Sequence, residues 1–189
     1  MNQEIIEILK YLEPREDYLV WAGFAQFAHL GLKASADIDI YVSSKENMNR
    51  ISADFQQNGW KIKKHIPVER GSKVVIIGMG MTLGEIIGWK WDKLEKNETT
   101  FDIVFSKPAS ELFFHDKVKI EVYSHKINFI SKEFLFITKL GQLSSSERTD
   151  EKRKRDLETI MKLRKQIDLD KIRKMVLKLP DSYWLTGLV

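Results

Sequence analysis

Two carboxylates two positions apart in an apolar segment are the strongest chemical feature of the sequence. The segment Asp37–Val42 reads DIDIYV, a pattern typical of a β-strand. Because side chains at i and i+2 of a strand share a face, Asp37 and Asp39 are expected to project together, with Ile38 and Ile40 turned to the core. Neighbouring carboxylates repel unless a cation or a proton offsets their charge. The pattern therefore predicts a cation site; the alternative is a strand end held by hydrogen-bond donors of a turn.

A strand, a turn and a short helix precede these acids and must position them. Tyr18–Trp21 is an apolar run typical of a buried strand, and the composition of residues 24–32 indicates a short helix. Gly23, between the two, allows the backbone to approach a ligand closely. The amide groups at the start of such a helix attract phosphate. Lys33 and Ser35 lie just before the acids, where they can contact phosphate or be simply solvated or capping residues.

The order of these parts is that of a known superfamily. It runs Ala22-Gly23-Phe24, then residues 25–36, then Asp37-Ile38-Asp39-Ile40. This arrangement resembles the nucleotidyltransferases of polymerase-β type, and within them the small prokaryotic nucleotidyltransferases that include the AbiEii-like group. A looser match lies in the C-terminal third, at Lys139 and at Arg155-Asp156-Leu157. The chain departs from the family pattern at one position, because Phe24 stands where the family has Gly or Ser.

The resemblance implies a set of site residues. Asp102, an acid within the apolar segment Thr99–Phe105, would be a third carboxylate on a neighbouring strand. Asp37, Asp39 and Asp102 would then be both catalytic residues and metal ligands, holding two Mg²⁺ ions, with Mn²⁺ as the alternative metal. The nucleotide would be bound at Gly23, Phe24, Lys33, Ser35 and Lys139.

The activity implied is Mg²⁺-dependent transfer of a nucleoside monophosphate from an NTP to a hydroxyl acceptor. The acceptor would be a small molecule, a protein or RNA, in the setting of a toxin–antitoxin or defence system. Phe24 places a bulky ring where the family binds a phosphate. It therefore favours an alternative, a catalytically impaired nucleotide-binding or RNA- or partner-binding module on the same fold.

The composition describes an ordinary globular chain. It has 189 residues, of which 43% are hydrophobic and 31% charged, which suits one medium domain with a helical appendage. The absence of cysteine excludes disulfides and thiolate metal sites. The four histidines show no paired-ligand spacing. The N-terminus lacks the pattern of a signal peptide and no apolar run reaches the length of a membrane span, so we expect no membrane partner and a cytoplasmic protein.

The positive charge is concentrated in the C-terminal third. Residues 131–189 carry 14 Lys and Arg against 9 Asp and Glu, whereas residues 1–130 carry 17 against 18. The run KRKR at 152–155 contributes most of the excess. Such a cluster can contact RNA, another protein or phosphate, or it can be a solvated helix face balanced by nearby acids.

The fold class expected is α/β (α+β), with a nucleotidyltransferase-like mixed sheet flanked by helices. Residues 1–130 would form the core, and residues 131–189 a helical C-terminal segment packed on it. Further helices are predicted at 2–12, 45–58, 108–114, 131–143, 148–164 and 168–179, and further strands at 60–66, 72–77 and 117–123. In the helix at 148–164, Leu157, Ile160, Met161 and Leu163 are expected on one side.

Overall fold

The computed structural model describes residues 2–33, 37–67, 90–105, 113–143 and 149–176. The described residues up to Ile130 form one compact unit, and those from Ser131 form a second. The predictions for Ser35, for the strand at 72–77 and for most of the helix at 108–114 lie outside the described residues.

Within the described ranges, the first unit contains a sheet of seven strands, three helices and a short helical segment at 113–115. The helices are α1 (Gln3–Leu12), α2 (Ala22–Leu30) and α3 (Lys45–Gln57). The strands are β1 (Tyr18–Trp21), β2 (Asp37–Val42), β3 (Lys61–Pro67), β4 (Lys90–Lys96), β5 (Thr99–Phe105), β6 (Val118–Val122) and β7 (His125–Phe129). Their order in the sheet is β3-β4-β5-β2-β1-β7-β6. The β2–β5 and β1–β7 pairs are parallel and the other pairs are antiparallel, so the mixed sheet expected from the sequence is confirmed.

One face of the sheet is covered by the helices. Ile38 lies beside Phe101 in the β2–β5 register, and the Phe101 ring packs 4.8 Å from Phe55 of α3. On the same face, Phe24 of α2 stacks on Phe129 of β7 at 6.3 Å. All five aromatic and aliphatic side chains named here are buried. This packing fixes the opposite face of β2 as the one that carries Asp37 and Asp39.

Local capping explains where α3 begins and where α2 ends. Ser44 caps α3, because its Oγ accepts a hydrogen bond from the Asn47 amide at 3.1 Å. Helix α2 ends at Gly31, whose φ of 63° is left-handed and whose amide donates to the Phe27 carbonyl at 2.9 Å.

The hairpin formed by β6 and β7 is tied to the loop after α1 by two acids. Glu16 accepts hydrogen bonds from Lys117, at 2.7 Å, and from Lys119. Glu13 lies 2.8 Å from His125 Nδ1. These contacts hold the edge of the sheet against the segment that leads into β1.

The second unit contains α4 (Lys132–Leu143), α5 (Asp150–Arg164) and α6 (Leu169–Val176). The buried side of α5 carries Asp156, Thr159 and Leu163, whereas Leu157 is 49% and Met161 68% exposed. The prediction that Leu157 and Met161 lie on the apolar side of this helix is therefore wrong. The reason is that Asp156 is turned inward by a buried ion pair with Lys139 of α4.

Among the helices in the described ranges, none combines the length and the apolar composition that a membrane span requires.

Candidate functional site

The register of the sheet places three acids together on the face opposite the one that packs against α2 and α3. Asp39 of β2 pairs directly with Asp102 of β5, and Asp37 pairs with Thr100. Asp37 and Asp39 share a face of β2 because they are two residues apart, and Asp102 shares it because paired residues project to the same side. The shared face predicted for Asp37 and Asp39 and the neighbouring strand predicted for Asp102 are those observed.

Two neighbouring side chains contact these carboxylates. The Thr100 hydroxyl donates to Asp37 Oδ1 at 2.7 Å, and Lys93 Nζ of β4 donates to Asp102 Oδ2 at 3.1 Å. Asp102 is buried, whereas Asp37 and Asp39 are half-buried. The acids therefore lie in a partly desolvated setting where charge interactions are stronger than in bulk water.

Aromatic rings extend this face beside the acids. Trp21, which pairs with Asp39 across β1 and β2, lies 4.8 Å from the Tyr41 ring, and Tyr41 lies 5.2 Å from Phe113. Burial, and to a smaller extent the charge of Asp39, raises the pKa of Tyr41 well above its ordinary value of 10. Tyr41 is therefore a neutral phenol at physiological pH and adds no charge to the site.

Helix α2 begins where β1 ends, at the same end of β1 as Trp21 and Asp39. Its first residue, Ala22, has a left-handed φ of 54°, and Gly23 follows it. The N-cap residue, Trp21, makes no side-chain capping bond to the first-turn amides. Those amides are the groups through which a helix start can bind an anion.

Phe24 does not present its ring at this helix start. The side chain is fully buried and packs on Phe27, at 5.6 Å, as well as on Phe129. Its ring lies on the helix-covered face of the sheet, away from the face of Asp37 and Asp39. The backbone of Phe24, in the first turn of α2, remains at the helix start.

Two of the remaining residues predicted to bind nucleotide, Lys33 and Lys139, lie within the described ranges, whereas Ser35 does not. Lys33 is exposed in the link between α2 and β2. Lys139 belongs to the second unit, where its Nζ donates to Gln142 Oε1 at 2.7 Å and to Asp156 Oδ1 at 2.9 Å. Nucleotide binding by Lys33, Ser35 and Lys139 stays a prediction.

The acids suit Mg²⁺ by chemistry, since carboxylate oxygens are its usual protein ligands. Their positions in the sheet suit a shared ion as well. Within the described ranges, however, no group of three or more His, Asp or Glu side chains that could hold a metal ion is found. The Asp37 carboxylate accepts a hydrogen bond from Thr100, and the Asp102 carboxylate accepts one from Lys93.

Thr100 and Lys93 were not expected from the sequence. Thr100 is two residues from Asp102, so the alternation of β5 was sufficient to place it on the same face. Lys93 lies in a segment to which no strand was assigned, and its position depends on the pairing of β4 with β5.

No protein-family model matches the chain, and no curated protein matches its sequence. Similarity appears among solved structures. The antibiotic-resistance factor ANT(2'')-Ia, described as having substrate-regulated conformational dynamics, superposes with a TM-score of 0.55 at 10% identity, over 91% of this chain and 87% of that one.

Two further structures are similar at lower scores. An antigenic nucleotidyltransferase-like protein from Paracoccidioides brasiliensis has a TM-score of 0.47 at 11% identity, covering 85% of this chain and 73% of its own. A candidate nucleotidyltransferase from H. pylori has a TM-score of 0.48 at 16% identity, covering 98% and 84%. The seven-stranded mixed sheet, its flanking helices and the superposition on ANT(2'')-Ia together establish that this chain has a nucleotidyltransferase-like fold.

Proposed function

We propose that the protein is a Mg²⁺-dependent nucleotidyltransferase that moves a nucleoside monophosphate from an NTP to a hydroxyl acceptor. The observation that carries the proposal is the pairing of Asp39 with Asp102, with Asp37 on the same face of a nucleotidyltransferase-like sheet. Nucleotidyl transfer needs positioning and charge neutralisation more than covalent help from the protein. Three carboxylates on two adjacent strands are suited to that task.

The roles of the residues follow from their places. Asp37, Asp39 and Asp102 would hold two Mg²⁺ ions, or Mn²⁺ in their place. Such ions supply charge neutralisation of the phosphates and alignment of the reacting oxygens. The start of α2, at Gly23 and the Phe24 amide, would bind the triphosphate, and Lys33, Ser35 and Lys139 would add positive charge or hydrogen bonds.

Asp102 would take the proton of the acceptor hydroxyl. The acceptor oxygen would then form a bond to the α-phosphorus, and the bond to the pyrophosphate leaving group would break. The acceptor would be a small molecule, a protein side chain or an RNA end. Membership of a toxin–antitoxin or defence system, and of the AbiEii-like group, belongs to this proposal as its biological setting.

The burial of Phe24 supports catalysis rather than an impaired site. The concern raised by a bulky residue at this position is a ring in the space of the phosphate. In the folded chain the ring is fully buried and packs on Phe27 and Phe129, so the Phe24 ring is packed in the core and not on the face that carries Asp37 and Asp39.

The test is calorimetric titration with ATP, CTP, GTP and UTP, with and without Mg²⁺, followed by transfer of α-labelled NTP to small polyols, RNA and protein. The Asp37→Asn/Asp39→Asn variant should lose metal-dependent binding and transfer. Asp92→Asn is the matched control, because Asp92 lies on the other face of the sheet, bonded to Ser52 Oγ at 2.7 Å. Equal nucleotide binding by wild type and the double variant would refute the proposed site.

A second candidate is a nucleotide- or partner-binding module without turnover. It is favoured by the finding that no group of three or more His, Asp or Glu side chains that could hold a metal ion occurs in the described ranges. It is also favoured by the exposed Leu157 and Met161 on the helix that carries the basic run at 152–155. RNA binding through α5 should weaken steeply with salt, and glutamine at 152–155 should flatten that slope. Binding insensitive to salt and to these substitutions would eliminate the RNA form of this candidate.

A further inference from the structure

Lys93 lies directly opposite Asp102 in the antiparallel pairing of β4 with β5. Its ammonium nitrogen is 3.1 Å from Asp102 Oδ2, and the two side chains are 23% and 10% exposed. Lys93 thus places a positive charge on the same face of the sheet as Asp37, Asp39 and Asp102. The neighbouring strands fix both partners, so the contact does not depend on a loop.

We infer that Lys93 is a positioning residue of the carboxylate site, whose ammonium neutralises Asp102 in the metal-free protein and competes there with a divalent cation. The inference rests on the proposed function, since it concerns how a metal reaches the acids assigned to that function. It adds a residue from β4 to a site otherwise built from β2 and β5.

The charges on this face explain why such a residue is needed. Asp39 and Asp102 occupy paired positions on adjacent strands, where like charges destabilise a sheet. Asp37 adds a third carboxylate two residues away. An ammonium group in contact with the most buried of the three offsets part of this repulsion, and the limited exposure of the pair reduces screening by solvent.

The same contact has a consequence for metal binding. A divalent ion that uses Asp102 as a ligand must displace the Lys93 ammonium from Oδ2 or accept a like charge close by. Either event opposes binding. Removing the charge of Lys93 should therefore tighten divalent binding, whereas an ordinary cross-strand ion pair would affect the stability of the sheet and leave metal affinity unchanged.

The experiment compares Mn²⁺ affinity, by electron paramagnetic resonance of free Mn²⁺, in the full-length wild type, Lys93→Gln, Lys93→Arg and Lys93→Gln/Asp102→Asn. Lys93→Gln should bind Mn²⁺ on the order of tenfold more tightly, as expected for loss of one like charge in a partly desolvated site. Lys93→Arg keeps the charge and should stay near wild type. The double variant should lose the gain.

Thermal unfolding provides a second readout. Without divalent ions Lys93→Gln should melt below wild type, and added Mn²⁺ should raise its melting temperature by more than it raises that of the wild type. Unchanged or weaker Mn²⁺ binding by Lys93→Gln, in a protein whose Asp37→Asn/Asp39→Asn variant does lose Mn²⁺, would overturn the inference alone. Failure of wild type and Lys93→Gln alike to bind Mn²⁺ would overturn both the inference and the proposed metal-dependent function.

Discussion

Lys139 of α4 and Asp156 of α5 form an ion pair of 2.9 Å inside the second unit, with side chains only 4% and 2% exposed. A buried charge without an ionic partner has lost its hydration and gains no interaction that compensates for the loss. The pair therefore joins the two helices, and it determines which side of α5 is buried.

Removing one partner of this pair should destabilise the protein strongly. Lys139→Met and Asp156→Asn are each expected to lower the free energy of unfolding by about 3 to 5 kcal/mol, the usual cost of breaking a buried ion pair. The double variant should lose much less than the sum, because neither charge is then left alone. Urea denaturation measures all three. A Lys139→Met variant with unchanged stability but lost NTP affinity would instead favour nucleotide binding as the main role of Lys139.

Phe24→Ser tests the role of the residue that departs from the family pattern. Because the ring is fully buried on Phe129, the substitution should cost at least about 3 kcal/mol of stability, as for other large-to-small changes in a core. The control is Phe27→Ser, which loses a partly exposed contact with Tyr123 and should cost less. Tighter Mg²⁺–NTP binding by a stable Phe24→Ser protein would contradict a core role for the ring.

The left-handed backbone at Ala22 predicts a stabilising substitution. An alanine with φ of 54° bears a steric penalty that glycine avoids. Ala22→Gly should therefore raise the free energy of unfolding by up to about 1 kcal/mol. Ala28→Gly, within the regular part of α2, should lower it by about 1 kcal/mol. Urea denaturation measures both variants. An equal decrease in the free energy of unfolding in the two would show that the backbone at Ala22 is unstrained.

Glu16 predicts a pH dependence at the edge of the sheet. Hydrogen bonds from Lys117 and then Lys119 lower its pKa from 4.5 to about 2. A lowered carboxyl pKa contributes stability that is complete above pH 4.5 and is lost as pH falls toward 2. The melting-temperature difference between wild type and Glu16→Gln should therefore shrink over this range.

Direct titration of Glu16 by NMR checks the cause of that dependence. In Lys117→Gln/Lys119→Gln the pKa of Glu16 should return toward 4.5, because the donors that favour the carboxylate are gone. A pKa that stays near 2 in this variant would exclude the two lysines as its cause.

Local sequence patterns were sufficient to predict the centre of the sheet. The alternation of Asp37–Val42 fixed the faces of the two acids, and the helix predicted at 45–58 is observed as α3. Two strands farther from the centre, β4 and β7, were harder to predict. Residues 90–96, KWDKLEK, form β4 although they are rich in charge, because pairing with β3 and β5 on both sides stabilises a strand that composition does not favour. Strand β7 was likewise not assigned from the sequence.

The site could be predicted only as far as it lies within single strands. The alternation within β2 was sufficient to place Asp37 and Asp39 on one face. Lys93 lies beside Asp102 because β4 pairs with β5, and no short-range sequence pattern specifies that pairing. Phe24 shows the same limit. A phenylalanine at this position suggested a blocked phosphate site, and only the packing of α2 on β7 shows that the ring is buried against Phe129.

The parallel pairs at the centre of the sheet also have a kinetic consequence. The hydrogen bond between Thr100 and Asp37 joins residues 63 apart in the chain, and the one between Asn128 and Tyr18 joins residues 110 apart. Closing such long loops costs chain entropy before any contact compensates for it, which slows folding. A chain that has formed only β1, α2 and β2 holds Asp37 and Asp39 without Asp102 or Lys93. The complete set of charges is therefore expected to assemble late, when the distant strands close on β2.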